Sequence, residues 1–171
     1  MHPLLRAFFL ALGAIGLLAG TTVLAEVPVK QVKLTEKQVE SFVAAHADKD
    51  FAALIQKLLG PKQTAEAKVM GELDGAAAKH GFKDYAEYVD VFNTIGVAMN
   101  HIDPQTKALV NPEAEIKKEI EEINGDKSIA EDERKQMLQE LDDALKSLQP
   151  VAHASNIDLV LKHHDKLKDL L

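Results

Sequence analysis

Apolar residues along this chain recur at helical spacing, and the clearest run is residues 84–101, DYAEYVDVFNTIGVAMNH. Tyr85, Tyr88, Val89, Phe92, Ile95 and Met99 stand three or four apart, which at about 100° per residue puts them on one helical face. Asp84 followed by Glu87 predicts a capping box at the start of this helix. The stretch holds three of the six aromatic residues that remain once the first 25 residues are set aside, so a single core is expected to close over it.

The other segments are read by the same pattern. Residues 26–33 form a short polar lead containing Pro28, expected to be loosely held. Thr35 and Gln38 make a capping box after Leu34, a candidate staple residue. Val39, Phe42, Val43 and His46 then share one face, whereas Phe51, Leu54, Ile55 and Leu58 lie about 120° further round. A straight helix buries only one of these stripes, which predicts a break between Asp48 and Asp50 with Asp48 recapping the second half. Gly60-Pro61 is a stop signal, and a helix over 64–80 is expected to end at Gly81 with Phe82 packing back across the cap. Gly71 and Gly75 inside that helix predict close approach to the aromatic helix.

After a break at Ile102-Asp103-Pro104, where Asp103 caps a short turn, Asn111-Pro112-Glu113 states a new helix start. Ile116, Ile120 and Ile123 form its stripe and Asn124-Gly125 its end. Ser128 with Glu131 predicts another capping box, opening a helix with Leu138, Leu141, Leu145 and Leu148 on one side. These two helices read as an antiparallel hairpin over 112–149 with a narrow seam and charged outer faces. Beyond Pro150, Asn156 is expected to cap a last helix whose Ile157, Val160, Leu161, His164, Leu167 and Leu171 share a face. No segment alternates with period two. The expectation is an all-α fold, a compact bundle of about six helices.

Residues 1–25 read as an address. Arg6 is their only charge, 7–19 are an uncharged apolar run too short to span a bilayer, and Val23-Leu24-Ala25 suits cleavage before Glu26. The expected mature chain is a single helical domain, 26–171. Removing the leader takes the chain from 171 to 146 residues and, with Arg6 gone, its formal charge from −7 to −8. That balance disfavours nucleic acid or anionic lipid as partner. An exported chain without cysteine must rely on packing, which suits a periplasm better than a disulfide-stapled scaffold.

Histidine placement is the sharpest chemical signal. His46, His80 and His164 each fall on the apolar stripe of a different helix, and three converging imidazoles are a candidate zinc or copper site. The alternative is three core-edge residues, each using a nitrogen for a hydrogen bond. Residues 122–133 align with a calcium loop through Glu122, Asn124, Asp126, Ser128, Ile129 and Glu133, but Lys127 stands where the loop needs glycine. Without cysteine, a Gly-x-Ser-x-Gly elbow or a phosphate loop, no catalytic chemistry is signalled and no cofactor is implied.

Leu34-Thr35-Glu36-Lys37-Gln38 spells LTxxQ, and here the chain resembles the LTxxQ family of periplasmic stress chaperones and metal-stress proteins. The resemblance implies an exported, all-helical, cradle-shaped dimer that shields unfolded clients without ATP. The chain carries one copy of the motif rather than two. In the order LTEKQ, KHGFKDYAEY, IDPQTKA it also resembles uncharacterised all-helical periplasmic proteins of proteobacteria. The functional expectation is a non-enzymatic binding or stress-accessory protein, chaperone-like in mode, with another protein or a second copy as partner. The alternative is a periplasmic metal-binding protein using the three histidines.

Overall fold

A computed structural model describes residues 29–59 and 66–171. The leader over 1–25, the Gly60-Pro61 stop and the Thr64 start lie outside the described residues. The described residues fold into seven α-helices: α1 (Glu36–Ala47), α2 (Lys49–Leu59), α3 (Glu66–Lys79), α4 (Tyr85–Met99), α5 (Pro112–Gly125), α6 (Glu131–Ser147) and α7 (Ser155–Leu167). Among them there is no strand, and one isolated antiparallel bridge joins Ile102 to Leu109. The chain divides into two compact units. In one, α1–α4 and α7 close a core; the other is α5 and α6, within Asn111–Leu148.

The helix boundaries follow local hydrogen-bond chemistry. Thr35 and Gln38 form the expected reciprocal box at the start of α1. At Asp48 the chain leaves the helix, and its Oδ1 accepts from the amides of Asp50 and Phe51, so the two differently facing stripes belong to two helices. At α4, Asp84 accepts from the Glu87 amide, but the Glu87 carboxylate takes the amide of Lys83, one residue before the cap. Gly81, at φ +89°, ends the α3 segment in a Schellman arrangement, with the Phe82 amide on the Ala77 carbonyl and Phe82 buried.

Packing centres on α4, which lies against α1, α3 and α7. Tyr88 is its hub: ring centroids of Phe51 at 4.8 Å, Phe82 at 5.5 Å, Phe42 at 5.7 Å and Tyr85 at 5.8 Å surround it. Three of the stripe residues expected to be buried, Tyr85, Tyr88 and Ile95, are so, while Val89, Phe92 and Met99 are half-buried. Val91, Thr94 and Ala98 are buried in their place, about a quarter turn round the helix. A helix with neighbours on several sides buries more than one stripe.

Three expectations need correction. The described part of the lead, 29–33, is not loose; together with Leu34 it forms a strap held to the rest of the unit. The Val32 amide donates to Thr94 Oγ1 at 3.0 Å, and the Leu34 amide to Asn156 Oδ1 at 2.9 Å. The Val29 amide reaches Gln149 Oε1, and the Gln31 amide bonds both the Pro150 carbonyl and the Ala152 amide. Asn156, in turn, is no cap. It sits in the first turn of α7, 1% exposed, and its Nδ2 also donates to the Val32 carbonyl at 2.8 Å, so it spends its polar atoms on the strap. Finally, Gly71 and Gly75 do not mark a close helix approach, because a Cβ at either would meet nothing within 4 Å.

Two stability experiments follow. Gly71→Ala and Gly75→Ala should each raise stability by about 0.5–1 kcal/mol, since they reduce unfolded-chain freedom and cost no space; a drop in the urea midpoint for either would show that the helix needs the glycine. Asn156→Ala should cost about 2–4 kcal/mol, because it strands the Leu34 amide and the Val32 carbonyl. A loss below about 0.5 kcal/mol would mean that water replaces the side chain and that the latch is unimportant.

Candidate functional site

The three predicted histidines sit in three different settings. His46, on α1, is half-buried with its Nδ1 3.4 Å from the Tyr88 hydroxyl and its ring against Phe42. At the end of α3, His80 Nε2 meets Asp48 Oδ2 at 2.9 Å, with Phe51 beside the ring. That carboxylate thus caps α2 with one oxygen and holds the end of α3 with the other. His164 is 1% exposed, and neither ring nitrogen has a hydrogen-bond partner; an Asp165 oxygen lies 3.9 Å from Nδ1, beyond hydrogen-bond reach.

Among the described residues no three His, Cys, Asp or Glu side chains form a group that could hold a metal ion. The helical wheel placed each imidazole on an inward face, but inward faces of different helices meet different neighbours. The same holds for 122–133. Asp126 Oδ1 accepts from the Ser128 amide and hydroxyl in a local turn, and α6 starts after Ala130 with no side-chain cap, so the expected Ser128–Glu131 capping box does not form.

Sequence reasoning passed over His163. It is buried beside His164, and its Nε2 lies 2.6 Å from Glu36 Oε1, which also takes Lys162 at 2.8 Å. This pins the first turn of α1 to α7. Periodicity has no means of finding it, because Glu36 reads as an ordinary first-turn acid.

Burial lowers the basicity of His46 and of His101 below the ordinary 6.5. The unfolded chain therefore takes up protons below pH 6.5 that the folded chain refuses. The carboxylates behave oppositely: Asp48 is held below its usual 3.8 by the His80 hydrogen bond and then the Asp50 and Phe51 amides, and Glu36 below 4.5 by Lys162 and then His163. Their contribution is complete above those values and is lost only at lower pH.

The second unit presents a different surface. Asn111 caps α5, with its Oδ1 accepting from the Glu113 and Ala114 amides and Pro112 at the first helical position. α5 and α6, joined by residues 126–130, pack on each other. Ile116 and Ile123 are buried on α5, but α6 buries none of its 17 residues. Met137, Leu138, Leu141, Ala144 and Leu145, all on one side of α6, are only half-buried, as is Leu148 at its C-cap.

Charge is concentrated on this unit. Residues 111–148 hold 12 of the 27 acidic and six of the 20 basic side chains, a net −6 out of −7 for the whole chain. Several cations are already engaged. Lys117 pairs with Glu113, Lys118 with Glu122 and Lys146 with Asp142 and Asp143, while Arg134 donates to the Asp126 and Ile129 carbonyls. Burial, and then the neighbouring Glu122, raises the Glu119 carboxyl above its usual range.

No family model matches the chain, and no curated protein or solved structure matches it either. Among the described residues no helix is long and apolar enough to cross a membrane.

The urea midpoint should fall as pH drops from about 7 to about 5, through the imidazole range and before the carboxylates titrate. His46→Gln should flatten that slope. A midpoint constant across this window would show that these imidazoles protonate equally in the folded and unfolded chains.

Proposed function

We propose that this is an exported, non-enzymatic helical protein that covers apolar segments of other polypeptides, a chaperone-like role of the kind the LTxxQ resemblance implies. Its contact element is α5–α6, an antiparallel hairpin of a helical bundle, and the mature chain starts at Glu26. One observation carries the reading: α6 has five apolar residues at helical spacing and buries none of them. A helix of that pattern gains most of its stability from covering its stripe, so a second surface completes it. The core of the other unit, from Leu34 to Leu167, includes no α5 or α6 residue, so that unit has a core without them.

The experiment is deletion of 114–147 through a short Gly/Ser linker. The remainder should stay helical and unfold cooperatively, and it should lose the ability of the intact protein to suppress aggregation of a thermally unfolded client. If the intact protein suppresses nothing, or the deletion suppresses equally well, α5–α6 is not a client surface.

A further inference from the structure

The chemistry around the α6 stripe specifies its occupant. We infer that α5–α6 takes a cationic amphipathic helix from another protein, with that helix's apolar side on Met137, Leu141 and Leu145 and its lysines or arginines on the bordering carboxylates. This rests on the binding reading above and adds the class of partner.

Projected at about 100° per residue, the five apolar positions of α6 span a sector of about 120°. Glu133 and Glu140 border it on one side and Glu131 and Asp142 on the other, all four exposed. Lys135 lies only about 20° beyond Asp142 on the wheel, and Lys146 pairs with Asp142, so that border is partly neutralised, whereas no cation of α6 projects beside Glu133 and Glu140. Arg134, which projects within the sector, spends its guanidinium on the carbonyls of Asp126 and Ile129. The Glu133–Glu140 border is therefore the more acidic one. An approaching helix meets apolar surface edged by negative charge, the arrangement that a basic amphipathic helix complements.

The charge balance also discriminates among occupants. A second copy brings its own −6 against the first, and like charges face each other across a symmetric contact. An anionic membrane surface is repelled for the same reason. A cationic helix gains from both the apolar stripe and the carboxylates that edge it.

The test uses residues 26–171 and two fluorescein-labelled amphipathic peptides about five turns long. They share one leucine stripe; one carries lysine and arginine on its polar face, the other glutamate. By fluorescence anisotropy in about 50 mM salt, the cationic peptide should bind about tenfold or more tightly than the acidic one, and about fivefold less tightly in about 300 mM salt. The double variant Glu133→Gln, Glu140→Gln should keep its circular dichroism and urea midpoint and lose about fivefold in affinity. A Met137→Gln variant should weaken both peptides alike.

Equal affinity for the two peptides, indifference to the double variant, or a dimer that excludes the peptide each overturns the inference. If the peptides fail while client suppression still depends on 114–147, the cationic partner is wrong and the binding reading stands. If suppression fails as well, both fall.

Discussion

One tyrosine ring fixes how the larger unit is assembled. Tyr88 touches Phe42 from α1, Phe51 from α2, Phe82 from the turn before α4 and Tyr85 from its own helix. Edge-on contacts with Phe51 and Phe82 and stacked ones with Phe42 and Tyr85 satisfy the quadrupole preferences of the rings together. Each of those residues is positioned by a turn that comes first. Asp48 has to end α1 before Phe51 can swing inward, and Gly81 has to adopt positive φ before Phe82 can fold back. Burial costs the phenol its freedom to ionise, since desolvation and the neighbouring Tyr85 drive its pKa upward. Its hydroxyl is left facing His46, an imidazole that burial keeps neutral near pH 7.

Around this aromatic centre, the polar atoms within the core decide which ends of the chain meet. Thr94 and Asn156 take the backbone of the strap, and His163 takes Glu36, so segments 62 to 127 positions apart are joined by buried polar side chains. Such bonds are modest in net energy, but an unmade one is expensive, so they select this arrangement over near neighbours. His164 is the exception. Its two unpartnered nitrogens carry the desolvation cost with no hydrogen bond in return. Nothing in the fold explains the choice.

Much of the helix plan was readable in residues 29–171 because its signals are local. Thr35, Asp48, Gly81 and Asn111 act on amides or carbonyls within a few residues, and each does what its type and position predict. Asp103 likewise caps its short turn through the Gln105 and Thr106 amides. Where the reading failed, the partner was distant. Asn156 has the residue type and position of a helix cap, yet its atoms go to the strap, and Gly71 looked like a packing contact although it faces open space. The histidines fail for a related reason. A wheel gives the direction of a side chain from its own axis, and convergence depends on how the axes lie. For α5–α6 the sequence showed the stripe and the charges but not that one helix would leave its whole stripe half-covered.

That incomplete cover has an energetic side. The α5–α6 pair buries Pro112, Ile116 and Ile123 and no residue of α6, while its 12 carboxylates repel one another. Three i,i+4 pairs, Glu113–Lys117, Lys118–Glu122 and Asp142–Lys146, offset this only slightly, because all are exposed and screened by solvent. One of them has the less favourable order, lysine before glutamate. The pair is therefore the part of the molecule that opens at least cost, whereas α4, with neighbours on several sides, opens last. A surface that must accept side chains it has not met before needs that low cost, because rearranging a tightly packed helix pair would consume the energy of binding. On this argument the same carboxylates that weaken the free pair give a cationic helix its grip, and the occupied state is where the α6 stripe is fully covered.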